Sequence, residues 1–450
     1  MPNRYDAIVI GAGPAGEVVV TRLSERGMRV ALIERELVGG ECAYYACIPS
    51  KTLLRAPEVR SEAERAAGVE QPGLEWDKLA AYRDYMIRNL DDSGEIESYR
   101  SSGVDVYKGT GTIAGPGAVE VSGELLHTER IIVATGSDAL VPALDGLDEA
   151  GYWTNREATT LSEVPGSVVV LGGGPVGIEL AQFLRRFEAR VTVVEAGERL
   201  LAREDPAVSE LLAGTLRGEG IELRLGVQAE SVSRTNGEVR VRLDGGEELT
   251  GNRLLIAVGR RPRTGGLGLE NVGIEPGERG IEVDEHCRAA EGVWAVGDVT
   301  GVMPFTHVGK YQARVAADSI LGDDVRASYD GIPRVVFSDP EVAAVGLTRA
   351  QARERGISLS SARLSLPEEL ARPWTYEQEP RGDLGLIADR ERQVLIGAWA
   401  VAPLASEWIH QAALAIKTGT PLAVLRDTVA QFPTFTEAYL KALEALEPEG

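Results

Sequence analysis

The chain has 450 residues, 44% of them apolar, enough for about three domains at roughly 150 residues each, which excludes a disordered or collagen-like polymer. Its 47 basic and 69 acidic residues leave a formal net charge of −22, so nucleic acid and anionic membranes are repelled and are not expected as partners. No stretch approaches the roughly 18 uncharged apolar residues of a membrane span, and the N-terminus runs straight into a strand-like segment without a signal-peptide pattern, so a cytoplasmic location is expected.

In chain order, residues 7–34 read as strand, glycine turn, helix and strand, and residues 168–195 repeat the unit. Each copy carries G-x-G-x-x-G: Gly11, Gly13 and Gly16, with Pro14 and Ala15 between, then Gly172, Gly174 and Gly177, with Pro175 and Val176 between. An acidic residue, Glu34 or Glu195, closes the next strand 23 positions after the first glycine in both copies (11 to 34, 172 to 195). One glycine makes the tight turn, one lets the backbone approach a pyrophosphate, and one lets helix and strand pack closely. The helix N-terminus then offers free N–H groups and its positive dipole end to the phosphates, and the carboxylates would accept from ribose hydroxyls. A single such turn could serve packing alone; two complete units at matched spacing imply two dinucleotides.

Residues 110–128 read as a β-hairpin region inserted in the first unit, with Gly-Pro-Gly at 115–117. Residues 131–137, 254–260 and 293–298 read as buried strands ending in glycine turns. After a loop at 324–332 the texture changes to a strand-like 333–337, several short strand candidates, and helices over 407–417 and 436–446. The expected fold class is α/β: two Rossmann-like dinucleotide-binding domains and a C-terminal α+β domain. The expected bounds are 1–148 with 271–332, 149–270, and 333–450.

Three cysteines, Cys42, Cys47 and Cys287, are too few for a secreted disulfide framework, but the first two lie five residues apart. On a regular helix, positions i and i+5 point about 140° apart, so bridging them requires a distorted first turn, and a strained bridge is reducible. A helix N-terminus and nearby Lys51 would favour the thiolate, the species able to attack. A zinc site needs four ligands, and none of the four histidines lies within fifty residues of the pair, so no metal is expected. Cys287 sits in a polar, turn-like stretch and reads as a thiol without a task; His127 and His410 read as structural.

Residues 39–51, GGECAYYACIPSK, with the double nucleotide repeat, resemble the flavin-dependent pyridine nucleotide–disulfide oxidoreductases, the group of dihydrolipoamide dehydrogenase, glutathione reductase and mercuric reductase. The likeness runs from Gly11 through Gly297-Asp298 to Pro433-Thr434 and Glu437. It implies FAD on the first unit, NAD(P)H on the second, and a C-terminal interface domain that makes a homodimer. By the family pattern Cys47 is the sulfur against the flavin, forming the charge-transfer thiolate, and Cys42 the interchange thiol that meets a small-molecule acceptor. Lys51 falls near the flavin and pairs with Glu179; a solvated surface lysine is the alternative reading. Asp298 matches the residue on the ribityl chain and Thr306 a contact at the flavin pyrimidine end. Arg35, Gly40, Glu41, Thr135, Gly136, Gly259, Gly297 and Phe305 fall among the cofactor-binding positions. His307 is either catalytic or a packed or capping residue.

The pattern breaks at the C-terminus. Thiol–disulfide members of the family carry a histidine just before Pro-Thr, oriented by a glutamate, to move a proton at the interchange thiol. Here Phe432 stands in that place, and Glu437 remains without its partner. A phenyl ring transfers no proton, so the disulfide half-reaction loses a general acid worth about 10²- to 10⁴-fold. Mercuric reductases also have Phe-Pro at this point but end in a second cysteine pair, so mercury is not the expected substrate; the ketopropyl coenzyme M carboxylase branch replaces the glutamate that this chain keeps. Tyr44 and Tyr45 between the cysteines depart from the usual small or amide residues and read either as packing or as substrate contact. Glu195 would repel a 2′-phosphate, and Gly177 resembles the NAD-preferring branch, so NADH is expected over NADPH, although Arg199 and Arg203 could serve a phosphate. Three readings remain: transfer through the cysteine pair, direct transfer from reduced flavin to a quinone, dye or oxygen, and a dihydrolipoamide dehydrogenase-like part of a larger complex.

Overall fold

In the computed structural model, which describes residues 3–449, the chain divides into two compact units. One takes in the chain up to Ser50 with Ala81–Leu140 and Gly259–Ser328; the other takes in Lys51–Ala80, Val141–Val258 and the chain from Tyr329. The outermost expected domain bounds, 1 and 450, lie outside the described residues. The elements that position chemistry are, in chain order, β1 (Ala7–Ile10), α1 (Pro14–Glu25), β2 (Val30–Glu34), α2 (Gly40–Tyr44), α3 (Cys47–Arg65), β3 (Ser167–Leu171), α4 (Pro175–Arg186), β4 (Arg190–Glu195) and α5 (Thr306–Leu321).

The first unit is built on a six-stranded sheet in the order Arg288–Ala290, Val293–Ala295, Ile131–Val133, β1, β2, Asp105–Lys108. All neighbours are parallel except the outer pair Arg288–Ala290 and Val293–Ala295. Strands covered on both faces become unbroken apolar runs, and AIVI in β1 is buried at every position. Because side chains alternate, Ala7, Val9 and Leu32 face a core shared with Val19, Val20 and Leu23 of α1 and Ala313, Val315 and Ala316 of α5. Ile8, Ile10 and Ile33 face the other way, onto Ile113, Val119 and Val121. Those last residues belong to the 110–128 insertion, which forms three antiparallel strands, Gly111–Gly115, Ala118–Val121 and Glu124–His127.

Cys287 lies in a turn, as its polar neighbours suggest, and is wholly buried in this core, with φ +60°. The surrounding polar residues hide this. The Asp284 carboxylate accepts from the N–H groups of His286 and Arg288, and the turn so formed directs the intervening cysteine inward.

In the second unit β3 and β4 lie in a parallel four-stranded sheet, ordered Glu222–Leu225, β4, β3, Arg253–Ile256. β3 is buried throughout, and α4 buries eight consecutive residues, Gly177 to Leu184. The C-terminal part forms a six-stranded antiparallel sheet whose middle strands, Asp383–Asp389 and Val394–Ala402, are buried at all seven and all nine positions. The short strands expected there are longer than read, because runs such as VLIGAWAVA carry no polar alternation to mark their ends.

Candidate active site

The two glycine turns are built alike, each within its own unit. β1 leads into Gly11, at φ +107°, where an added Cβ would lie 2.4 Å from the Ala134 carbonyl oxygen; β3 leads into Gly172, at φ +111°, with the Ala257 oxygen at 2.3 Å. A Cβ on Gly16 would lie 1.9 Å from the Gly11 oxygen, and one on Gly177 2.0 Å from the Gly172 oxygen. At Gly13 and Gly174 a Cβ would meet nothing within 4 Å. The outer glycines are therefore required by close packing, whereas the middle one borders open space at a helix N-terminus, where Pro14 or Pro175 opens α1 or α4. Such an opening fits a pyrophosphate, so the residues present suit a dinucleotide in each unit.

Glu34 and Glu195 occupy equivalent places. Glu34 accepts from the N–H of Ala12 at 2.8 Å and of Glu36 at 2.7 Å; Glu195 accepts from Gly173 at 2.6 Å and Gly197 at 2.7 Å. The carboxylates expected to meet ribose thus also brace their own turns. Arg35 pairs with Glu36. A Cβ on Gly40 would lie 2.6 Å from the Gly13 Cα, and one on Gly297 3.3 Å from the Ala15 Cβ, so both sit tightly against the first turn.

Asp298 and Glu41 join through residues that the sequence did not flag. The Ser137 hydroxyl donates to Asp298 at 2.6 Å, while Arg260 donates to Ser137 Oγ and to Glu41, each at 2.7 Å. Arg263 pairs with Asp138, and its carbonyl accepts from the Thr135 hydroxyl at 2.7 Å. Gly136, at φ +72°, follows Thr135, and Gly259, at φ +147°, precedes Arg260. These links span 120 residues or more and leave no local signature.

Cys42 and Cys47 do not share one distorted helix, as the spacing alone implied. α2 ends at Tyr44, Tyr45 breaks it with φ −132°, and Cys47 begins α3. The break replaces the 140° separation with direct contact between the two thiols. The Thr306 hydroxyl, on the first residue of α5, lies 3.3 Å from each sulfur. Contact with Cys47 and burial push the Cys42 thiol up, while the Thr306 hydroxyl and the Lys310 charge pull it down.

Tyr44 is fully buried; its hydroxyl donates to the Val38 carbonyl at 3.1 Å, and its ring lies against Gly39. Packing is therefore the reading that holds for Tyr44, and its ring fixes the loop leading into the redox pair.

In the second unit Lys51 Nζ meets Glu179 at 2.7 Å and lies 4.8 Å from the Phe337 ring centroid. The other Glu179 oxygen accepts from the Phe337 N–H at 2.9 Å. Arg199, considered as a phosphate ligand, instead donates to the Glu204 and Ala202 carbonyls and to the Ser209 hydroxyl, while Arg203 is exposed. Phe432 is 74% exposed. The Glu437 Oε2 atom is buried and has no hydrogen-bond partner. In the first unit His307 is exposed, and its ring stacks on Phe305 with centroids 5.2 Å apart. Among the described residues no group of three or more His, Cys, Asp or Glu side chains could hold a metal ion, and no helix is long and apolar enough to cross a membrane.

The sequence pattern described as pyridine nucleotide-disulphide oxidoreductase matches residues 5–313. The chain belongs to this family. The pattern of the family's dimerisation domain matches residues 332–443. The chain is 34% identical to the dihydrolipoyl dehydrogenase of Thermus scotoductus, over 99% of this chain and 98% of that one. It is also 34% identical to a mercuric reductase of Streptomyces lividans, over 96% and 94%. Among solved structures it resembles the HOCl-induced flavoprotein disulfide reductase RclA of Escherichia coli, determined as a Cu(II) complex. There the TM-score is 0.89 and the identity 29%, covering 99% of this chain and 100% of that one. The protein is a flavoprotein oxidoreductase of the family that binds FAD and uses NAD(P)H, with Rossmann-like parallel-sheet regions and a C-terminal dimerisation domain.

Proposed function

We propose that the enzyme carries an electron pair from NADH to the Cys42–Cys47 couple and on to a small-molecule acceptor. When bound, FAD supplies the two-electron relay between nicotinamide and sulfur. The balance is one hydride from NADH and one proton from solvent for each disulfide reduced to two thiols. The observation that carries the reading is the Thr306 hydroxyl set 3.3 Å from both sulfurs at the break between α2 and α3. Cys42 acts as the outer thiol, whose thiolate attacks the acceptor, and Cys47 as the inner one. Lys51, held by Glu179, keeps a fixed positive charge in the second unit.

The same reading assigns FAD to residues 1–148 and 271–332, NADH to 149–270, and the homodimer interface to 333–450, in a cytoplasmic enzyme. Gly13 and Gly174 would receive the pyrophosphates, Glu34 and Glu195 would accept from the ribose diols, and Gly40, Glu41, Gly297, Asp298 and Thr306 would hold the flavin. Preference for NADH is supported by the carboxylate of Glu195 and by Arg199, whose guanidinium is engaged by its own loop.

Anaerobic addition of NADH to the holoenzyme is expected to raise a long-wavelength absorbance that Cys47→Ser abolishes; no such band in the wild type refutes the thiol route. A second reading is favoured by the exposed phenyl ring at 432 and the orphaned Glu437 oxygen: direct reduction of a quinone, dye or oxygen without the outer thiol. Cys42→Ser decides between them, because retained quinone activity supports direct transfer and near-complete loss excludes it. Disulfides, quinones and Cu(II), the ion named for the RclA structure, form the acceptor panel.

A further inference from the structure

Glu41 stands beside the first nucleotide turn, because its neighbour Gly40 packs so closely on that turn that an added Cβ would lie 2.6 Å from the Gly13 Cα. A pyrophosphate is itself anionic, so a carboxylate one residue from this contact needs a counter-charge. Asp298, the other acid assigned to the flavin, adds to that need. The counter-charge comes from a distant part of the chain. Residues Arg260–Pro262 pair antiparallel with Ser137–Ala139, Arg260 opposite Ala139 and Pro262 opposite Ser137. Both segments belong to the first unit, with Glu41 and Asp298.

From this short ladder one guanidinium controls two carboxylates. Arg260 Nη2 donates to Glu41 Oε2 and to the Ser137 carbonyl, each at 2.7 Å. Its Nε donates to Ser137 Oγ at 2.7 Å, and because a guanidinium only donates, the single Ser137 O–H turns the other way, onto Asp298 Oδ2 at 2.6 Å. The direction of the chain is thereby fixed, and it commits one Asp298 oxygen while leaving the other to serve a ribityl hydroxyl. Arg263 is no substitute: it pairs with Asp138 and stays 3.9 Å from Glu41. The Arg260, Glu41 and Asp298 side chains are only 22%, 16% and 25% exposed, so this charge-assisted bonding is sheltered from the screening that makes surface ion pairs weak.

We infer that Arg260 is the positioning residue of the flavin cleft: its charge offsets Glu41 beside the pyrophosphate turn, and its link through Ser137 fixes the Asp298 carboxylate for the ribityl chain. The inference rests on FAD occupying the first unit at these residues. It concerns retention of the cofactor and involves no covalent or redox step, so it stands apart from the thiol route.

The test is the rate at which purified holoenzyme releases FAD after dilution, followed by the rise in flavin fluorescence as the cofactor leaves the protein. Arg260→Met, which keeps the bulk and loses the charge, is expected to release FAD about tenfold faster or more. Adding Glu41→Gln to that variant removes the uncompensated carboxylate and is expected to recover most of the loss, and Arg260→Lys, which keeps the charge without the fork, to fall between wild type and Arg260→Met. Equal release from wild type and Arg260→Met overturns the inference. Fast release that Glu41→Gln does not reverse also overturns it, because Arg260 would then be a structural brace without an electrostatic role. If Arg260→Met alone yields no holoenzyme, the double variant is still expected to yield it, and its failure to do so overturns the inference. Wild type that neither retains nor takes up FAD refutes the flavin reading itself, and the inference with it.

Discussion

Under the proposed thiol route, replacing Phe432 by histidine would supply the side-chain type that the family resemblance expects at this position. The ring at 432 is 74% exposed, so the substitution removes little buried area and should change folding stability by no more than about 0.5 kcal/mol. Five residues later, Glu437 Oε2 is buried without a partner, and a buried unsatisfied acceptor costs about 1–3 kcal/mol. An imidazole N–H that reaches this oxygen therefore gains both a bond and an orientation. A positioned general acid contributes about 10²- to 10⁴-fold, or roughly 3–5 kcal/mol of barrier. An imidazole on an exposed segment is less rigidly held, which places the expected gain near the lower bound. The assay is steady-state NADH oxidation with lipoamide and with oxidised glutathione, comparing wild type, Phe432→His and Phe432→His/Glu437→Gln. The single variant is expected to raise kcat/KM about a hundredfold, and the double variant to lose at least tenfold of that gain. Equal rates in all three refute the reasoning, because residue 432 would then have no access to the proton that limits disulfide turnover.

Glu195→Ala should shift the kcat/KM ratio from NADH toward NADPH by tenfold or more. Two charges about 5 Å apart at an effective dielectric of about 20 repel by about 3 kcal/mol, and an unchanged ratio would remove Glu195 from the coenzyme site. Gly13→Ala is expected to leave folding intact, since the added Cβ meets no protein atom within 4 Å, but to weaken FAD retention on gel filtration. Full flavin content in that variant would mean that the opening at Gly13 is not where the pyrophosphate lies. Asp339→Ala should destabilise the second unit by about 1.5–3 kcal/mol in denaturant titration, because Arg65 and Arg186 each lose a partner at 2.8–2.9 Å but keep Glu377 and Glu219. Burial opposes ionisation of Asp339, yet the Arg186 and Arg65 guanidiniums hold its carboxyl below the usual range. Its contribution is thus present above about pH 4, the unfolded value, and is lost as pH falls through the depressed folded value. Wild type and variant should converge in stability toward low pH, and a constant gap would contradict this assignment.

What the chain announced locally, it announced well. The glycine turns, the strand runs around them and the closing carboxylates all lie within windows of about thirty residues, where spacing alone carries the geometry. The Lys51–Glu179 pair was legible only through the family resemblance, because 128 residues separate its members. Arg260 bridging Glu41 to Ser137, and Asp339 clamped between Arg65 and Arg186, escaped the sequence for the same reason: charged residues in a polar context look alike until the chain folds. The turn at Cys287 was legible but its burial was not, because an Asp-anchored turn buries a residue whose near neighbours are polar. The distortion inferred between the cysteines is a break at Tyr45, next to Tyr44, whose burial no local pattern encodes.

The twin carboxylates Glu34 and Glu195 have a consequence for how these clefts tolerate change. An ionised carboxylate offers about four lone-pair sites, and two backbone amides occupy one each, so two stay available to a sugar without any bond being broken. Exchange of either acid for its amide would force an NH₂ group against a peptide N–H, setting donor against donor inside the turn. Each acid is consequently held to its identity by the turn it braces, and under the proposed function a bound sugar would add a second constraint.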